Sequence, residues 1–220
     1  LTEKMGDISF EHQGRRIQGM RMQNLGDCYV INGWESMPYD NHSGVVDLYR
    51  NAKGDSKILA YYNQPLYVAI SPRKQIIHTP NSVPVDFYIV NEKNLKGKHI
   101  LSINVKDPNG KNIYQENKNV QLSGGETFGE LLIGDMQLPL NNQSGMFSIE
   151  ATLYDLNKEK QASGKDQVLG VNWNSQKLSG TGAIYKNDTK NTFVSFYKQE
   201  TGNILPDFSE NAGKLDWVVI

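Results

Sequence analysis

Val83-Pro84-Val85-Asp86-Phe87-Tyr88-Ile89-Val90-Asn91 is the stretch on which the fold turns. Val85, Phe87 and Ile89 alternate with Asp86 and Tyr88. That period of two belongs to a strand with one face in a core and the other toward water. The period returns at Leu101, Ile103 and Val105, set against Ser102 and Asn104. It returns again at Phe147, Ile149, Ala151 and Leu153, separated by Ser148, Glu150 and Thr152. Turn formers divide these runs: Asp107-Pro108-Asn109-Gly110, Ser123-Gly124-Gly125 and Asn141-Asn142-Gln143-Ser144-Gly145. About seven or eight short strands at this spacing, over residues 64–173, predict a mainly β fold, an immunoglobulin-like antiparallel β-sandwich. No internal repeat of fixed period is visible.

The flanks read differently. Over residues 1–63, His12 to Leu25 reads as a helix, with Ile17, Met20 and Leu25 as a weak apolar stripe and Gly26 as its stop. Cys28-Tyr29-Val30-Ile31-Asn32-Gly33-Trp34 reads as a buried strand, and Pro38 to Gly44 as a loop. Val45 to Arg50 reads as the start of a second helix. Helix, strand, loop and helix make one step of an α/β barrel, whose complete form takes about 250 residues. Over residues 174–220, Ser175 to Asn191 reads as a linker, Thr192 to Thr201 as a helix and Leu215 to Ile220 as a strand. These would be a linker and part of a further α/β segment. The opening Leu1-Thr2 and the closing Trp217-Val218-Val219-Ile220 are expected to be cut ends of a longer chain.

Composition narrows the function. The 11 Tyr, 7 Phe and 3 Trp among 220 residues supply large apolar surfaces, which argues for a folded chain. Lys plus Arg is 23 against 24 Asp plus Glu, so no concentrated basic patch for nucleic acid is expected. No apolar run reaches the roughly 20 residues of a membrane span. The single cysteine, Cys28, precludes an intrachain disulfide and reads as a buried structural thiol.

Motifs of catalysis are absent: there is no GxSxG elbow, phosphate loop or HExxH zinc helix. His12, His42, His78 and His99 lack metal-ligand spacing, and no metal or other cofactor is expected. Asp7 and Glu11 read as a solvated helix surface. The dense polar and aromatic cluster is Asn32-Gly33-Trp34-Glu35-Ser36-Met37-Pro38-Tyr39-Asp40-Asn41-His42. It falls where a barrel strand hands over to its loop, the end at which barrel active sites form. Trp34 offers a face for stacking on a sugar ring, and Glu35, Asp40, Asn41 and His42 offer groups for its hydroxyls. The plainer alternative makes Trp34 and Tyr39 core residues beside a turn. A glycosidase needs two carboxyl groups flanking the scissile bond, and Glu35 with Asp40, five apart on one strand and loop, are poorly placed to converge.

Tyr29 to Ser36 followed by Pro38 to Gly44 resembles the last barrel strand and following loop of bacterial glycoside hydrolase family 2. Leu59 to Ala69 resembles the exit from that barrel, and Asp86 to Glu92, with the strands after it, the immunoglobulin-like domain that follows. The resemblance covers roughly residues 15–173. It implies a retaining β-glycosidase parent of β-galactosidase, β-mannosidase or β-glucuronidase type, periplasmic or extracellular. Oligo- or polysaccharide and the rest of the parent polypeptide would be its partners. It places the two catalytic glutamates on barrel strands before Leu1, so no catalytic residue is carried over. Trp34 matches a position where such enzymes often hold an aromatic near the sugar. The rival is a stand-alone binding module, which should expose a planar row of aromatics such as Tyr88, Tyr114 and Tyr154.

Overall fold

The computed structural model describes residues 2–24, 26, 28–30, 33–34, 44–47, 49–172, 182–185, 192–202, 204–208 and 215–219. Two helices come first, α1 (Thr2–Met22) and α2 (Ser56–Tyr62). Eight strands follow: β1 (Leu66–Pro72), β2 (Ile76–His78), β3 (Ser82–Asn91), β4 (Gly97–Lys106), β5 (Asn112–Leu122), β6 (Gly129–Pro139), β7 (Gly145–Tyr154) and β8 (Lys160–Val171). After them come β9 (Gly182–Ile184), α3 (Thr192–Thr201) and β10 (Trp217–Val219).

The eight strands form two sheets, one ordered β1-β3-β6 and the other β2-β8-β7-β4-β5. Every pairing is antiparallel except that of β2 with β8, where Ile76 lies opposite Leu169. Between β1 and β2 the chain crosses from the edge of the small sheet to the edge of the large one. This switch, together with the three-and-five layering, gives the immunoglobulin-like sandwich its form. Val85, Phe87 and Ile89 meet Leu101, Ile103, Val105, Phe147, Ile149 and Leu153 in one aliphatic and aromatic core. The alternation in the sequence is therefore the inward face of both sheets.

One strand departs from alternation. In β1, Tyr67, Val68, Ala69 and Ile70 are all buried. Val68 and Ile70 face the sandwich core, whereas Tyr67 and Ala69 join Val90 in a second cluster with Met22 of α1 packed against it. The small sheet is thus covered on its outer face by the helical layer. α1 also shields the free edge of β1, the Gln18 amide donating to the Ile70 carbonyl at 3.0 Å. An edge so occupied is closed to strand addition.

α1 begins ten residues earlier than its apolar stripe predicts. Its packing face consists of Gly6, Phe10, Gly14 and Ile17, and glycines carry no hydrophobic signal. A Cβ at Gly14 would enter the Tyr62 ring, and one at Gly6 would strike the Lys53 carbonyl, so α1 lies directly on α2 and the turn before it. Asn24, at φ +53°, follows the helix, upstream of the expected stop at Gly26.

Other expectations are corrected. Cys28 to Val30 adopt no strand, and Cys28 is exposed and not a buried thiol. The described residues from Val45 to Arg50 form no helix. Asp47 Oδ1 accepts the amides of Tyr49 and Asn51, Arg50 takes φ +64°, and Val46 bridges Ala52. The side chain of Asp47 offers the backbone a turn in place of helical bonds. The expected linker contains β9, which pairs in parallel with β10. α3 lies between these two strands over the residues that the sequence indicated.

Candidate functional site

Of the candidate sugar-site residues, Trp34 is described, while Glu35, Asp40, Asn41 and His42 lie outside the described residues. Trp34 is 65% exposed and its neighbour Val30 87%, so neither fills a core. The Trp34 carbonyl accepts the amides of Val45 at 2.9 Å and Val46 at 3.1 Å. These bonds join the two ends of the segment that carries the other four candidates. The exposed indole therefore belongs to the residue whose carbonyl meets the returning backbone at Val45 and Val46.

A second polar region gathers elsewhere, in a cleft of about 830 Å³ between α1, α2 and the edge of β8. β2 covers that edge only at residues 169–171, leaving Lys165 to Gln167 paired with β7 on one side and with no strand on the other. Side chains take over the edge groups. The Tyr61 hydroxyl accepts the Lys165 amide at 2.9 Å and donates to the Lys165 carbonyl at 3.2 Å. Asp166 Oδ1 accepts the Gln167 amide at 2.6 Å. Arg15 from α1 then grips Asp166 through both terminal nitrogens, at 2.9 and 2.5 Å. Such fork-on-carboxylate pairing is geometrically selective. It raises the Arg15 pKa above its ordinary value, the bond to Asp166 outweighing desolvation.

Asp7 and Glu11, expected on a solvated face, point instead toward α2. Asp7 Oδ1 accepts the Asp55 amide at 2.7 Å, and Glu11 Oε2 accepts the Tyr62 hydroxyl at 2.7 Å. Burial, and then this bond to Glu11, push the Tyr62 phenol well above its usual range. Farther along α1, Arg21 donates to the carbonyls of Tyr62 and Gln64 and to Glu92, with its guanidinium 5.6 Å from the Tyr67 ring centre. Arg15, Gln18 and Arg21 form one helical stripe that ties α1 along the sandwich. Nothing in the sequence signalled Arg15, Tyr61 or Asp166, because each acts through a partner distant in the chain. Arg15 and Asp166 lie 151 residues apart.

No planar aromatic row is present at Tyr88, Tyr114 and Tyr154. Tyr88 is half-buried on the small sheet, packed against the Tyr67 cluster, while Tyr114 and Tyr154 are half-buried on separate strands of the large one. Among the described residues no group of three or more His, Cys, Asp or Glu side chains is placed to hold a metal. No described helix is long and apolar enough to cross a membrane.

No family model matches the sequence, and no curated protein matches it. Among solved structures, the chain is similar to a Bacteroides uniformis β-glucuronidase at 16% identity and a TM-score of 0.35, over 47% of this chain and 13% of that one. A glycosyl hydrolase family 2 member from Bacteroides cellulosilyticus is similar at 14% identity and a TM-score of 0.37, over 55% of this chain and 18% of that one. An exo-chitosanase from Amycolatopsis orientalis, solved with PNP-β-D-glucosamine, is similar at 13% identity and a TM-score of 0.47, over 72% and 18%. The chain spans less than a fifth of the length of each of these proteins. With every TM-score below 0.5, function has to be argued from the chain's own residues.

Proposed function

We propose that this chain is part of a retaining β-glycosidase of the family 2 type, secreted to the periplasm or beyond. Residues 1–63 form the end of its barrel, 64–173 a supporting sandwich, and 174–220 a linker and partial α/β segment. The observation that carries this reading is the exposure of Trp34, whose carbonyl meets the returning backbone at Val45 and Val46. A planar apolar ring presented to solvent beside a polar loop suits the CH face of a sugar. Val30 and Tyr49, 87% and 86% exposed, are further apolar surface on the same stretch. The rest of the barrel is the partner proposed to cover them. Glu35, Asp40, Asn41 and His42 are proposed to bind sugar hydroxyls around Trp34. Following the resemblance, the acid/base and nucleophile glutamates are supplied by other barrel strands, and this chain alone hydrolyses no aryl β-glycoside.

The test is made in the natural protein that carries these residues. Trp34→Ala should lower kcat/KM on its best aryl β-glycoside at least roughly tenfold, a loss of ~1.4 kcal/mol, with melting nearly unchanged. If that variant melts early yet keeps full activity when folded, Trp34 is structural and the sugar platform is wrong. If the wild-type protein turns over no β-glycoside, the glycosidase reading itself is abandoned.

A further inference from the structure

We propose that the cleft between α1, α2 and the open edge of β8 is a second ligand site, for a neutral polyhydroxylated molecule of short-oligosaccharide size. Its volume of about 830 Å³ lies in the range of roughly 300–1,000 Å³ that accommodates small organic ligands. Charge decides the chemical class. The arginine of the cleft, Arg15, has both terminal nitrogens on Asp166, and Asp7, Glu11 and Asp55 share the same space, so an anion is disfavoured. Asp7 and Asp55 each spend an oxygen on a backbone amide, Asp166 is neutralised, and Lys57 and Lys165 also line the cleft, so a cation is disfavoured too. An ion entering here would meet near-cancelled fields.

What remains open is a set of neutral hydrogen-bonding groups on facing walls. His12 lies on α1, while Gln75, Ser148 and Gln167 lie on the sandwich side, and none of these four side chains has a hydrogen-bond partner among the described residues. Ile8 on α1 and Met146 on β7, 59% and 49% exposed, supply apolar surface on opposite walls. Donors and acceptors spaced between two apolar lips match a ligand with hydroxyls at its rim and CH groups on its faces. The floor is held stiff by the Tyr61–Lys165 and Arg15–Asp166 bonds, so the walls are set before a ligand arrives. This assignment is independent of the glycosidase reading, because no residue is shared with the Trp34 loop.

Cellotriose, mannotriose and N-acetylchitotriose are titrated into the 220-residue chain, and amide chemical shifts are followed. At least one trisaccharide should shift Lys165, Gln167 and His12 together. Lys165→Ala/Gln167→Ala, at exposed positions whose backbone bonds remain, should weaken binding at least about tenfold without changing the melting temperature. Should that variant fold poorly, His12→Ala on the opposite wall serves as the second probe and should weaken the same titration. Shifts confined to Gly33 and Trp34 and unchanged by either variant would overturn the proposal while supporting the Trp34 platform. Saturable shifts at the cleft with inorganic phosphate but with no trisaccharide would also overturn it, as would no shift with any probe.

Discussion

The sandwich core and the helical layer laid over it are held together by different chemistry. Inside the sandwich, twenty buried apolar residues among those described form one cluster, drawn from alternate positions of β3, β4 and β7 and from one or two positions of each other strand. Across the outer face of β1 and β3, the apolar cluster shrinks to Tyr67, Ala69 and Val90 with Met22 and Tyr88 against it. Around it, and at the edge of β8, the contacts are polar: Arg15 to Asp166, Gln18 to the Ile70 carbonyl, Arg21 to three oxygens, and Tyr61 to Lys165. Apolar packing tolerates exchange of similar side chains, whereas directed bonds fix an angle and a position. The sandwich supplies stability, and the layer is oriented upon it.

The contrast fails first if the core is not dominant. Phe147→Ala, at a fully buried ring, should cost about 3–5 kcal/mol in chemical denaturation. A loss below that of any single substitution in the helical layer would reverse the ranking. Comparable in size to that single substitution is the removal of all of residues 1–63. Tyr67 and Val90 would then face water, at roughly 1.5–3 kcal/mol for each large side chain uncovered. The remaining chain should keep a β-rich far-ultraviolet spectrum but melt earlier and bind an apolar dye. An unchanged melting temperature would make the layer an ornament, and an unfolded spectrum would make the two regions one unit.

The same contrast explains what was legible beforehand. Alternation at Val85–Ile89, Leu101–Val105 and Phe147–Leu153 marks strands because burial on one face writes a period of two. β8 writes a fainter one, since its inward positions include Gly164, held against the Val68 carbonyl, and Asp166, held by Arg15. α1 was half-hidden because close approach to α2 is achieved with glycine, which carries no hydropathy. Cys28 to Val30 read as buried because the reading weighs apolarity alone, whereas Val30 stands open. Of the site, Trp34 was legible as an aromatic at a loop, while the cleft was not, because it is assembled from partners far apart in sequence.

Two glycines sharpen the comparison at smaller magnitude. Gly14→Ala puts a methyl into the Tyr62 ring, an overpacking of about 1–3 kcal/mol set against up to ~1 kcal/mol of helix propensity gained. The net effect should be destabilising. Gly19 on the same helix has nothing within 4 Å of its added Cβ, so Gly19→Ala should stabilise by about 0.5–1 kcal/mol. Equal effects in thermal melts would show that α1 and α2 are not in close register.

The smallest effect is read with alkali, and it separates the layer from the core by titration. Tyr61 and Tyr62 lie in the layer and Tyr67 of β1 faces it, and burial raises each phenol above its ordinary 10.0. Tyr67 has a buried hydroxyl with no hydrogen-bond partner among the described residues, and the cost of burying its phenolate outweighs the attraction of Arg21. The sign follows from linkage. A folded value above the unfolded one means that stability is complete below pH ~10 and is lost as pH rises past it, because the unfolded chain releases its protons first. Helical signal should fade above pH 10 as tyrosinate absorbance appears. Tyr62→Phe keeps the ring that Gly14 lies against but removes the proton and the bond to Glu11. It should cost about 1 kcal/mol at neutral pH and flatten the fall above pH 10. If all tyrosines titrate at the ordinary value while the helices persist, the phenols are not buried as described, and the junction is looser than its bonds imply.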